Sequence, residues 1–367
     1  MRVRTEDLIP GCIISEDVYK QGATPIVKKN TTLSQLHIDM LHVFFINDVP
    51  IEAKLKNGRM YTPNGVLYEE KPEEEVPSDV KEEKNLSFTT RYLDAVNEYK
   101  KLFHHWQGGA KVDPLAVRQL FLGLIEVLPT KKELNDLYRL SLKKDYLYFH
   151  SVSVALISFL LGKKLSIKEG ELIQLGIAGL LSDAGMAKIH SDIWMKNGEL
   201  LEREFAEVQQ HPLYSYRMLE EVKGISQQAL LGVLQHHERE DGNGYPLKAK
   251  GDKIHLFAKI IGVVDIYHAM TTDRVYRKRQ TSYQVFEKLV KDEFGKLDAV
   301  VVKQLSRLLL DLDIGKKVRL SNGEVGEIVY LQDHEPTRPI LRMSSNDELF
   351  KLSSTPHIYI ECEAGEE

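Results

Sequence analysis

Apolar residues recur at helical spacing through most of this 367-residue chain. They return every three or four positions, which puts them on one side of a helix and predicts that this side is buried. The segments with this pattern are Tyr92–Phe103, Leu115–Leu128, Leu134–Leu142, Tyr146–Leu161, Glu171–Leu181, Glu202–Leu219, Gln227–His237, Ala258–Met270 and Ser282–Val290. Because one apolar face must pack against another, the pattern predicts a mainly α protein with a helical bundle over residues 88–312.

The region before the bundle has a different pattern. Residues 1–66 mix short β-like runs with one helix-like stretch, Gln35–Phe44, which Ser34 can cap. The β-like runs are Pro25–Val27 and Val49–Leu55. Residues 67–87 are dense in Glu and Lys and contain two prolines, which is the composition of a solvated linker. We therefore predict a small α+β module followed by an acidic linker.

The pattern changes again near Asp313. From there to residue 367, apolar and polar residues alternate, and Ser321-Asn322-Gly323 has the composition of a turn between two strands. The sequence therefore predicts a small β unit at the C-terminal end.

Composition narrows the class of protein. Hydrophobic residues make up 43% of the chain, charged residues 28%, and the net charge is -5, which excludes a disordered chain and a broadly basic surface for nucleic acid. The longest apolar runs, such as Val154–Leu161, are shorter than the ~18 residues that a membrane-spanning helix needs. Only Cys12 and Cys362 occur, which argues against a disulfide framework and against zinc held by thiolates. We expect a soluble protein of the reducing cytoplasm.

The segment His236-His237-Glu238-Arg239-Glu240-Asp241-Gly242-Asn243-Gly244-Tyr245-Pro246 has the features of a functional site. Two adjacent histidines end a predicted helix, and a glycine-rich turn follows them. Adjacent residues on a helix point about 100° apart, so both imidazoles reach one cavity only if it wraps around the helix end. The adjacent pair His104-His105 has no such turn beside it and is predicted to lie at the surface or core edge.

Other predicted helices contribute further candidate metal ligands. They are His150, Asp183, His211 and Asp265, each near or within an apolar stretch. Any one of them alone is more often a buried histidine with a hydrogen-bond partner or an aspartate at a helix cap. Several together are better explained by a bound metal, because a buried imidazole or carboxylate needs a partner.

The order of these residues resembles the HD-GYP family of cyclic di-GMP phosphodiesterases, a subdivision of the HD-domain metallohydrolases. The resemblance covers residues from about 140 to 310, and the last of its motifs in chain order is Asp273-Arg274-Val275-Tyr276-Arg277. It implies an HD-type helical bundle around two, sometimes three, divalent metals, with iron, manganese or zinc as candidates. The positions that it implies as metal ligands are His150, Asp183, His211, His236, His237 and Asp265, with Asp183 also catalytic. It further implies that Tyr245, Arg274 and Arg277 contact the substrate.

Four positions depart from the family pattern. Ser182 stands where the family has the histidine of its His-Asp doublet, and Met186 stands where it has a lysine. His268 replaces a second aspartate, and Tyr146 lies where some members place an acidic ligand for a third metal. A hydroxyl is a weaker donor to a transition metal than an imidazole, so one metal position is expected to be better supplied than the other. The better position would use Asp183, His211, His236 and His237, and the poorer one His150, Asp265 and a shared Asp183.

Three functions remain open from the sequence. The protein is a metal-dependent phosphodiesterase with weakened or lost hydrolysis of cyclic di-GMP, a signalling module that binds a cyclic dinucleotide without turnover, or an interaction scaffold. One or two metal ions are expected, and a homodimer or a signalling partner is possible. Lys278 and Arg279, which follow Arg277, are interpreted as solvated residues. Trp106 and Trp194 are interpreted as packing residues.

Overall fold

The computed structural model describes residues 2–18, 27–43, 46, 48–61, 87–196, 198–273, 279–291, 295–310, 312–332 and 335–364. These residues form two compact units, 1–93 and 94–367. The predicted linker lies almost wholly outside the described residues, and the predicted domain boundaries remain predictions.

The first unit has a small mixed fold. Strand β1 (Arg2–Arg4) pairs antiparallel with β2 (Asp48–Pro50), and helix α1 (Gln35–Val43) lies between them in the chain. The Ser34 hydroxyl accepts a hydrogen bond from the backbone N–H of His37, as expected of a helix cap. The strand covers only the start of the extended region predicted at Val49–Leu55, and residues further along that region form isolated β-bridges. Pro25 and Ile26 lie outside the described residues.

The second unit is built on helices. They are α2 (Phe88–Gln107), α3 (Pro114–Ile125), α4 (Lys131–Asn135), α5 (Leu137–Leu140), α6 (Tyr146–Lys164), α7 (Glu169–Leu181), α8 (Ser191–Trp194), α9 (Glu202–Val208), α10 (His211–Leu219), α11 (Gln227–Gln235), α12 (Leu256–Thr271), α13 (Ser282–Lys291) and α14 (Ala299–Leu309). A 3₁₀ turn, Ala184–Lys188, follows α7. The mainly α fold class is therefore confirmed.

Helix α6 is the centre of the bundle. It packs against α7, α12 and α14, and nearly all of its residues are buried. Together with the turn before it, this helix is long and apolar enough to cross a membrane by length and composition, although the sequence analysis expected no such stretch. Since most of it is buried inside the protein, its composition is that of a core helix.

Two helices predicted as continuous are interrupted. The segment predicted as Glu202–Leu219 is divided into α9 and α10, with Pro212 in the first turn of α10. Proline has no N–H to donate and is tolerated only at a helix start, which explains the division. The interruption places His211 at the first position of α10. The segment Leu134–Leu142 is likewise two short helices, α4 and α5.

A five-stranded antiparallel sheet forms the C-terminal end of the second unit. Its strands are β3 (Lys317–Leu320), β4 (Val325–Gln332), β5 (Glu335–Met343), β6 (Leu349–Lys351) and β7 (Ile360–Glu363), in the order β6-β5-β4-β3-β7. The predicted turn Ser321-Asn322-Gly323 joins β3 to β4, and Gly323 has a φ of 86° that favours glycine.

A buried ion pair connects this sheet to the helices. Arg338 on β5 contacts Glu287 on α13 through Nε at 2.6 Å and through its terminal nitrogen at 2.7 Å. The same guanidinium donates to backbone carbonyls in the segment after β6, including that of Ile358 at 2.6 Å. Both side chains are largely buried, with 4% and 15% of their surface exposed, so each charge needs the other as its counter-ion.

Glu287→Leu should lower the free energy of unfolding of the second unit by about 3–5 kcal/mol, because it leaves the Arg338 guanidinium buried without its anion. The double variant Glu287→Leu, Arg338→Leu should lose less than the sum of the two single variants. Chemical denaturation followed by circular dichroism measures these values. Glu98→Gln, which breaks the exposed Lys101–Glu98 pair, is the control and should change little; strictly additive losses at 287 and 338 would contradict the interpretation.

Candidate metal centre

Asp183 lies at the junction of α7 and the 3₁₀ turn. The Ser215 hydroxyl on α10 holds this junction, since it donates to the carbonyl of Ser182 and accepts from the N–H of Gly185, both at 2.7 Å. A side chain at Gly185 would overlap the backbone carbonyl of His211, so α10 approaches the junction closely only because this residue is glycine. Asp183 and His211 are thereby brought together from two different elements.

His211 and His236 are oriented by carbonyl groups at the ends of helices. The Nδ1 of His211 lies 2.7 Å from the carbonyl of Val208 at the end of α9, and the Nδ1 of His236 lies 2.7 Å from that of Val233 in the last turn of α11. These carbonyls have no partner within their own helices. A carbonyl only accepts, so each imidazole carries a proton on Nδ1, and Nε2 is the atom that would present a lone pair to a bound metal.

The two Nε2 atoms converge with a carboxylate. They lie 3.3 Å apart, and Oδ1 of Asp183 is 3.1 Å from that of His211 and 3.7 Å from that of His236. Three buried electron-pair donors at such distances repel one another unless a proton or a metal cation lies among them. With His237 they form a set whose ligand atoms all lie within 4.8 Å of one another, and imidazole and carboxylate are donors that suit iron, manganese or zinc.

A second set shares Asp183 with the first. The Nε2 of His150 on α6 lies 2.9 Å from Oδ1 of Asp265 on α12 and 3.5 Å from Oδ2 of Asp183. One oxygen of Asp183 therefore faces the first set and the other faces the second. Within the described residues, these two sets are the candidate metal positions, and they have the membership that the sequence analysis expected.

His237 belongs to the first set and also lies near the second. Its Nδ1 is 3.8 Å from Oδ2 of Asp265, and its ring stacks on Tyr245 with centroids 4.7 Å apart. The buried carboxylate of Glu238 accepts hydrogen bonds from the N–H groups of Leu247 and Ala249, at 2.6 and 2.8 Å, and so holds the turn that carries Tyr245. The sequence analysis did not assign Glu238 a role, although its place directly after the histidine pair was the available signal.

The ionisable groups are in the forms that bind a cation. Burial alone would raise the pKa of Asp183, but the imidazoles of His211 and His236 lower it well below its usual range. Burial likewise opposes ionisation of Asp265, yet its contact with His150 keeps its pKa low. The pKa of His237 falls well below its usual range because the ring is buried and lies beside His236. Two carboxylates and a neutral imidazole therefore face the site.

The cluster lies in a cavity of about 670 Å³. Its walls combine the metal-binding candidates with apolar side chains and with three lysines. Its lining residues include Lys143, Lys144, Tyr146, Met186, Ile193, Trp194, Met195, Lys196 and Tyr245. Trp194, interpreted from sequence as a packing residue, contacts Phe103 at 6.2 Å between ring centroids and also lines the cavity.

The residues that depart from the family pattern also have definite places. The buried hydroxyl of Ser182 donates to the carbonyl of Gly179 at 3.0 Å, so it is engaged within its own helix. Met186 lines the cavity wall, and His268 is buried beside His150. Arg274 and Arg277 lie outside the described residues. The roles of all these residues, and of the six ligand candidates, remain predictions.

Comparison with known proteins finds relatives of the helical region. The family model described as the HD domain matches residues 138–301. A cyclic di-GMP phosphodiesterase of Pseudomonas aeruginosa is 33% identical over 208 residues, which are 57% of this chain and 50% of that protein. A cyclic di-GMP phosphodiesterase of Borreliella burgdorferi is 28% identical over 54% of this chain and 52% of its own length.

A third relative acts on a different cyclic dinucleotide. A 3'3'-cGAMP-specific phosphodiesterase of Vibrio cholerae is 36% identical over 37% of this chain and 29% of that protein. The chain spans about half the length of the first two relatives. The resemblance predicted from the order of the His and Asp residues is confirmed: this chain matches the HD-domain family model over residues 138–301 and is similar to cyclic dinucleotide phosphodiesterases.

Proposed function

We propose that this protein is a metal-dependent phosphodiesterase of cyclic dinucleotides, with cyclic di-GMP as the expected substrate and with weak hydrolysis. The observation that carries the proposal is the carboxylate of Asp183, which faces one set of imidazoles with Oδ1 and another with Oδ2 at the base of a cavity. A shared carboxylate between two ligand sets is the arrangement that two-metal hydrolases require.

The cavity suits a cyclic dinucleotide in size and chemistry. A volume of about 670 Å³ lies within the range of small-molecule sites. Ile193, Trp194 and Met195 offer apolar and aromatic surface on which purine bases could stack. Metal bound at its base would lower the pKa of a coordinated water and stabilise negative charge on the phosphodiester. Asp183 would fix the separation of the two metal positions, and Tyr245 would keep the His237 ring in place by stacking.

Weak hydrolysis follows from the unequal ligand sets. The first set has four protein ligands and the second three, because the Ser182 hydroxyl is engaged with Gly179. The thioether of Met186 on the cavity wall carries no charge with which to stabilise the transition state. The same features support the second candidate function, a domain that binds a cyclic dinucleotide and signals its presence without turnover.

His211→Ala or His237→Ala should remove most of the bound metal, because each takes an imidazole out of the better-supplied set. His104→Ala and His105→Ala are the matched controls, since both side chains are exposed on α2. Elemental analysis of the purified proteins measures the outcome. Equal metal loss in both groups would mean that the histidines at the cavity do not hold the metal.

Wild-type protein should hydrolyse cyclic di-GMP weakly or not at all, and Ser182→His combined with Met186→Lys should raise turnover more than either change alone. The imidazole would complete the second ligand set, and the ammonium group would add a cation near the phosphodiester; the two act on one transition state and should therefore couple. Turnover with manganese, iron and zinc, and with 3'3'-cGAMP as an alternative substrate, measures this. Rapid hydrolysis by wild-type protein would overturn the impaired-enzyme proposal.

Replacing Lys143 and Lys144 together by Met should weaken binding of cyclic di-GMP by roughly tenfold, because among the described residues these are the cavity-lining cations without an acidic partner. Lys196, the third, is paired with Glu204 at 2.6 Å. Calorimetry on metal-free protein measures the affinity. The control replaces Lys163 and Lys164, an exposed doublet at the C-terminal end of α6, the helix that follows the turn carrying Lys143 and Lys144. If the two double variants bind cyclic di-GMP with equal affinity, Lys143 and Lys144 do not contact its phosphates.

A further inference from the structure

We propose that His268 is a positioning residue that fixes the orientation of His150 for the second metal position. This inference rests on the proposed function, because it concerns the metal that His150 would bind. His268 lies on α12, three residues after Asp265, and both imidazoles are buried, with 3% of each residue exposed. Nδ1 of His150 and Nδ1 of His268 are 2.9 Å apart.

The two metal positions orient their histidines by different means. His211 and His236 use the free carbonyls at the ends of α9 and α11, which are part of the backbone. His150 lies in the second turn of α6, where the preceding carbonyls already accept the hydrogen bonds of the helix. Its Nδ1 must therefore be held by side chains, and those within hydrogen-bonding distance are His268 and the Tyr146 hydroxyl, at 3.0 Å.

Metal binding fixes the direction of this contact. The Nε2 of His150 faces Asp265 and Asp183, so it must present a lone pair to bind a metal there. A neutral His150 then carries its proton on Nδ1 and donates it to Nδ1 of His268. His268 in turn carries its proton on Nε2, which lies 3.4 Å from the Thr272 hydroxyl.

An acceptor of this kind is what a metal-binding imidazole needs. Partners that accept from the second nitrogen of such a histidine fix its ring and raise its basicity, and their loss typically weakens metal affinity by about 10–100-fold. The sequence shows His268 where the family pattern has an aspartate. The contact with His150 indicates that the imidazole acts as the acceptor at this position.

Zinc titration of metal-free protein against a competing chelator tests the proposal. Wild type should bind in a tighter and a weaker phase. In His268→Leu, the new side chain has no hydrogen-bond acceptor. Its zinc affinity in the weaker phase should fall by about 10–100-fold, and that in the tighter phase should stay within about twofold of wild type. His268→Asn, whose side-chain oxygen can take the place of Nδ1, should stay within about threefold of wild type. Tyr146→Phe, which removes the other contact, should have a smaller effect than His268→Leu.

Nuclear magnetic resonance of zinc-loaded protein labelled with ¹⁵N at histidine provides a readout that does not depend on a variant. His150 should be protonated at Nδ1, and His268 at Nε2. The opposite assignment, or an unchanged weaker phase in a folded His268→Leu protein, would overturn this inference and leave the proposed function standing. A wild-type protein that binds no zinc, manganese or iron would overturn the proposed function and this inference with it.

Discussion

The two oxygens of one buried carboxylate organise this site. Oδ1 of Asp183 lies 3.1 Å from His211, and Oδ2 lies 3.5 Å from His150 on the opposite side. A buried anion surrounded by imidazole lone pairs is stable only with compensating positive charge, so the arrangement makes sense as a cation site. Every element that carries a ligand candidate must therefore meet at the end of α7, and the bundle is assembled to make this possible.

Close approach between helices is the means by which these elements meet. At Gly185 a side chain would overlap the carbonyl of His211, and at Gly262 a side chain would overlap the carbonyl of His236. Each glycine thus allows a backbone that carries a histidine to lie against the next helix. The same approach leaves the carbonyls at the ends of α9 and α11 within reach of the imidazoles, so the packing of the helices and the orientation of the ligands have a common cause.

Much of this arrangement could be predicted from the sequence, since helical periodicity located the bundle and the order of His and Asp residues identified both ligand sets. The break before His211 was missed because the apolar pattern runs through Pro212 without interruption. The roles of Ser215, Glu238 and His268 were missed for another reason: each acts through a contact with a residue distant in the chain or with backbone groups. Periodicity carries no information on such contacts, and Trp194 was likewise assigned to packing alone although it also lines the cavity.

The ion pair between Arg338 and Glu287 has a consequence for how the chain can be divided. Tyr267 on α12 contacts Phe286 on α13 with ring centroids 5.2 Å apart and shares a hydrogen bond with Ser282, so α13 supports the helix that carries Asp265 and His268. A protein shortened to end before β3 would lose the Arg338 guanidinium. The Glu287 carboxylate on α13 would then be left without its cationic partner. The sheet is therefore part of the structural support of the candidate metal centre, and the smallest autonomous form of the helical region is expected to extend beyond the residues that carry the ligand candidates.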